Sequence, residues 1–100
     1  MHLIQIFVPQ FIKKKRISKK ILEALAFELS QSFGGATAYL RSPALGLWKK
    51  RTKLDREQIL VFEVMVTRLQ RREWAKRRLA WQKMFRQEKL LIRSLEIDIL

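Results

Sequence analysis

The chain has 100 residues, with 22 Lys and Arg against 9 Asp and Glu, a formal charge of +13 and no cysteine. That length fits one domain over residues 1–100, able to bury roughly 60–68% of its unfolded surface around one core. The missing cysteines exclude disulfides, thiolate nucleophiles and cysteine metal sites and leave the redox compartment open, and a hydrophobic fraction of 48% argues against disorder.

The opening MHLIQIFVPQ is short and lacks a charged start, so it does not read as a secretory signal, and no apolar run reaches the ~18 residues of a membrane span. The expectation is a cytoplasmic protein without integral membrane association. A pI of about 11.0 favours anionic partners: nucleic acid, an anionic membrane surface or an acidic protein.

In chain order, residues 2–8 (HLIQIFV) are β-branched and aromatic on both faces, with Ile4, Ile6 and Val8 on one and Leu3, Gln5 and Phe7 on the other. This predicts an inner strand ended by Pro9. Residues 11–20 read as a connection carrying the densest charge run, Lys13, Lys14, Lys15 and Arg16, then Lys19 and Lys20. Ser18 is placed to cap a helix over residues 19–33, although lysines in its first turn oppose the helix dipole. Ile21, Leu22, Leu25, Leu29 and Phe33 form that helix's apolar stripe, with Glu23 and Glu28 off it.

Gly34 and Gly35 are the pivot, because a residue able to take positive φ ends a helix without a Cβ penalty. Residues 36–41 then alternate as a strand, Thr37, Tyr39 and Arg41 on one face and Ala36, Ala38 and Leu40 on the other, the alanines suiting a close helix. Ser42-Pro43 and Gly46 break the chain, and Lys49, Lys50, Arg51 and Lys53 follow as a basic loop. Residues 58–66 (QILVFEVMV) make the clearest strand, with Glu63 its single charge. Thr67 and Gln70 fit a capping box, predicting a helix from Thr67 to about Arg86 with Trp74, Trp81 and Phe85, and Met84 beside them, inward and Arg68, Arg72, Lys76, Lys83 and Arg86 outward. Residues 89–100 read as a last strand.

The order β-α-β-β-α-β is the split βαβ pattern, an α+β fold with a four-stranded antiparallel sheet and both helices on one face. The segment FGGATAYLRSPALGLW, with DREQILVFEVMV, the tryptophan-containing helix and LLIRSLEIDIL, resembles a family of short, uncharacterised bacterial proteins and does so over nearly the whole chain. The resemblance implies a ferredoxin-like fold and a bacterial cytoplasmic setting, and carries over no catalytic residue. The basic runs at residues 13–20 and 49–53 depart from it.

Few residues suit chemistry. His2 is the single histidine, so neither a metal cluster nor a Ser-His-Asp arrangement is expected. Gly34-Gly35 leaves a helix rather than entering one, unlike a phosphate loop. Glu63 and Glu96 would form a carboxylate pair if their strands adjoined on the open sheet face, with Tyr39, Arg41 and Arg93 as neighbours; the plainer reading pairs Glu63 with an arginine. ILVFEVMV lacks the aromatic RNA-binding signature of this sheet type.

The leading expectation is therefore a binding protein without cofactor, metal or catalytic residues. It would hold nucleic acid or another polyanion with low specificity through Lys13, Lys14, Lys15, Arg16, Lys19, Lys20, Lys49, Lys50, Arg51, Lys53, Arg72 and Lys76. The alternative is a ligand-binding or enzymatic pocket around Tyr39, Arg41, Glu63 and Glu96. Membrane-surface binding by the basic second helix ranks third. A sheet covered by helices on one side only also predicts a homodimer packed sheet to sheet or edge to edge, since Ile59, Val61 and Met65, or the equally apolar set on the other face of the strand, would otherwise face water.

Overall fold

The computed structural model describes residues 1–9, 11–12, 15–41 and 59–100, with the side chains of all but 11, 12 and 39–41. The elements follow in the order β1 (His2–Pro9), β2 (Phe11–Ile12), β3 (Lys15–Arg16), α1 (Lys19–Phe33), β4 (Thr37–Arg41), β5 (Ile59–Val66), α2 (Arg71–Met84) and β6 (Ile92–Glu96). Four of the strands make one antiparallel sheet in the order β4-β5-β1-β6.

β1 is an inner strand, paired with β5 along one edge and β6 along the other. Ile4, Ile6 and Val8 are at most 1% exposed and meet Leu25 and Leu29 of α1, Phe62 and Val64 of β5, and Trp74 and Trp81 of α2 in one core. Both helices therefore cover the same side of the sheet. Each large apolar side chain withdrawn from water here contributes roughly 1.5–3 kcal/mol. Phe33, at the end of α1, stacks on Trp74 near the start of α2 with ring centroids 5.1 Å apart, tying the two helices together at one end. Phe85, Leu90 and Ile17 are buried in the same core. With this strand order and both helices on one face, the fold is α+β and ferredoxin-like.

The boundaries of α1 follow local chemistry. Ser18 Oγ accepts from the Lys20 amide at 3.1 Å, and Gly34 takes φ 77° with its amide donating to the Ser30 carbonyl. α2 departs from the local reading. The Thr67–Gln70 capping box does not form: the helix starts at Arg71, and Gln70 caps it without a side-chain hydrogen bond. Leu69 and Trp74 instead hold the positions of a hydrophobic staple, and both pack on the core. Tertiary burial thus sets the start of α2 four residues later than the cap residues predict.

α2 also ends earlier than expected, at Met84. Arg86 takes φ 52°, its amide donates to the Lys83 carbonyl at 3.2 Å, and the Gln87 amide donates to the Gln82 carbonyl at 2.9 Å. This is a Schellman motif with arginine in the left-handed position that glycine ordinarily fills. Met84, expected on the inward face, is 40% exposed, because the turn at Arg86 aims Phe85 rather than Met84 into the core.

Three further differences concern strands. Residues 11–12 and 15–16 pair as a short hairpin, Phe11 with Arg16 and Ile12 with Lys15, where a plain connection was expected. The last strand covers only Ile92–Glu96, because those residues find partners along β1, while Leu90 turns into the core. Ala36 packs on the core but Ala38, on edge strand β4, is exposed.

Candidate functional site

Burying Trp74 and Trp81 fixes the rotation of α2. At 100° per residue, Arg72, Lys76, Leu79 and Lys83 then fall along one stripe pointing away from the core, and all four are exposed. Nine of the 22 Lys and Arg residues lie within residues 68–89, against two acids, Glu73 and Glu88. The only intrahelical ion pair described there, Lys76 Nζ to Glu73 Oε1 at 3.9 Å, joins two exposed groups and contributes little.

The topology gathers more cations at one end. α1 begins beside the Pro9 end of β1, and α2, starting after Val66 opposite His2, runs back toward that same end. Lys15, Arg16, Lys19 and Lys20 thus share an end of the molecule with Lys83, Arg86 and Lys89, and all seven are exposed. Lys19 pairs with Glu23 at 4.0 Å across solvent. Lys13, Lys14, Lys49, Lys50, Arg51 and Lys53 lie outside the described residues.

Not every cation of α2 faces water. The Arg77 guanidinium lies 4.9 Å from the Phe33 ring centroid and 5.0 Å from that of Trp74, so it supports the α1–α2 junction. Arg71 and Arg78 flank a cleft of about 200 Å³ between α2 and β6, with Ser94 on its wall and Ile4, Leu69 and Trp74 beneath. No acid lines it.

The open side of the sheet is built differently. Glu63, Gln5 and Arg93 stand in one row across β5, β1 and β6. Gln5 is 7% exposed and joins its neighbours: its Nε2 donates to Glu63 Oε2 at 2.7 Å, and its Oε1 accepts from Arg93 Nε at 2.6 Å. The Arg93 guanidinium also lies 5.0 Å from the Phe7 ring centroid. Glu63 therefore reaches an arginine through an amide relay. The sequence signal for Gln5 was its position as the polar residue among Leu3 and Phe7 on that face of β1.

Glu96 does not join Glu63. β1 lies between their strands, and Glu96 pairs in register with His2, on the opposite side of the pleat from the Glu63 row. The expected carboxylate pair is thereby excluded by strand order and alternation together. Tyr39 and Arg41 stand in register with Val61 and Ile59, and their side chains lie outside the described residues. Val61 is fully buried and Ile59 half-buried, whereas Met65 is 53% exposed, so of the three apolar residues expected at this face Met65 is the exposed one.

Among the described residues no group of three His, Asp or Glu could hold a metal ion, and no helix is long and apolar enough to cross a membrane. Comparison with family models, curated proteins and solved structures finds no match for this chain. The class of the molecule therefore rests on its own architecture: a ferredoxin-like α+β domain with a basic helical side and a mixed, largely apolar open sheet.

Proposed function

We propose that this protein binds nucleic acid or a similar polyanion through the outward face of α2 and the cations beside the start of α1. The observation that carries the reading is the concentration of nine cations within residues 68–89, with Arg72, Lys76 and Lys83 on one exposed stripe. A stripe of that kind, about 16 Å long from the 1.5 Å helical rise, tracks a phosphate backbone by charge rather than by base identity. Arg71 and Arg78 at the cleft extend the positive surface toward β6.

Binding of this type is salt-dependent and nearly indifferent to sequence. Fluorescence anisotropy with labelled duplex DNA, single-stranded DNA and RNA checks it: affinity for duplex should fall with a log–log slope near about −0.9 per phosphate contact. A chain that binds none of the three at low salt, or whose affinity does not change with salt, refutes the reading.

A further inference from the structure

We propose that a second copy of this chain docks on the open sheet face about a two-fold axis that runs along β1. The inference stands on the pattern of that face and is independent of polyanion binding. Across β5, β1 and β6 that face carries two full rows, Met65–Leu3–Leu95 and Glu63–Gln5–Arg93; beyond them Phe7 stands beside Leu91, whose carbonyl accepts from the Phe7 amide at 3.0 Å, while Val61 on the other side of Phe7 is already buried. Met65 and Leu95, in one row, are 53% and 44% exposed, and Leu91, beyond the charged row on the same face, is 55% exposed; this exposed apolar surface flanking a charged row suits an interface.

Each row is self-complementary under one operation. A two-fold along β1 exchanges the β5 and β6 positions of a row and lays each β1 residue over its own copy. Leu3 then meets Leu3 of the partner copy, Met65 meets Leu95, and Glu63 meets Arg93 in both directions. A two-fold across the strands, centred on the same row, would oppose Glu63 to Glu63 and Arg93 to Arg93. The charged row therefore selects the first axis, and the apolar Met65–Leu3–Leu95 row beside it agrees.

The cationic stripe of α2 lies on the other side of the sheet, so two copies associate with those stripes pointing apart. The matching region is three strands wide and about five residues long, roughly 14 by 17 Å. That is modest beside the ~800 Å² per partner of a standard interface, so association should depend on concentration.

The test begins with sedimentation of the chain alone, without nucleic acid, from about 5 to about 500 μM. The mass should rise from the 12.0 kDa of one chain toward twice that value. Because the chain has no cysteine, single cysteines report the axis directly. Sheets pack about 10 Å apart face to face, which suits a short bismaleimide. Leu3→Cys should crosslink to itself, and Met65→Cys should crosslink when mixed with Leu95→Cys but not alone; these two exposed sites serve even if Leu3→Cys folds poorly. Glu63→Arg should weaken the dimer at least tenfold and Glu63→Arg with Arg93→Glu should restore it, the Gln5 amide turning over to suit the exchanged pair. A single-chain mass at the highest concentration overturns the proposal, as does Met65→Cys linking to itself as efficiently as to Leu95→Cys. Loss of nucleic-acid binding with the dimer intact would refute only the polyanion reading.

Discussion

The two sides of the sheet treat charge in opposite ways. On the helix side, Arg72, Lys76 and Lys83 stand in water, with Glu73 beside Lys76 and nine cations against two acids over residues 68–89, so their field is mostly positive. On the open side, Arg93 and Glu63 are joined through a buried amide and bracketed by apolar residues. Excess like charge attracts an opposite polymer and repels its own copy, whereas a balanced row inside apolar surface favours association with a copy. The difference teaches that the +13 total is uninformative until it is assigned to a side.

The sharpest way to break this contrast is to reverse the outward stripe. Arg72→Glu with Lys76→Glu and Lys83→Glu should weaken duplex binding by about 100-fold or more at moderate salt, because several phosphate contacts go at once. The sedimenting mass should not fall. Met65→Glu makes the complementary cut: a charge in the apolar row should weaken self-association about tenfold or more, and the salt slope for DNA measured on the monomer should stay the same. Crossed effects, in which either variant impairs both properties, would show that the two sides are coupled.

Smaller changes test what holds each helix in place. Ser18→Ala removes a formed cap and should cost about 1 kcal/mol in urea unfolding. Thr67→Ala removes a cap residue that caps nothing, and should stay within about 0.5 kcal/mol. If the two losses were equal, the staple account of the α2 start would be wrong. Arg86→Gly relieves a left-handed arginine and should raise stability by about 0.5–1 kcal/mol while flattening the salt slope by at most about one contact. That variant separates a backbone gain from an electrostatic loss at one residue.

Much of the fold was legible because it rests on local patterns. The alternation in β1 and β5, the stripe of α1, the Ser18 cap and the Gly34 turn each depend on neighbours within a few residues, and all stand as read. The start of α2 was not legible in the same way, since Thr67 and Gln70 offer a complete local cap that loses to the burial of Leu69 and Trp74 against residues far away in sequence. The hairpin of residues 11–16 was hidden because it has only two residues on each side, too short for periodicity to register.

The candidate sites divide along the same line. The sequence by itself determined that the chain is strongly basic, that Trp74 and Trp81 share a face opposite Arg72, Lys76 and Lys83, and that Glu63 is the charge within its strand. Each of these follows from composition or from a helical or strand period. Only the tertiary structure decided that Glu63 and Glu96 face opposite sides, that Gln5 links Glu63 to Arg93, and that hairpin and helix cations gather at one end. Those facts depend on strand order, and strand order is set by which apolar faces bury one another across the whole chain, a choice that spacing along the chain does not encode.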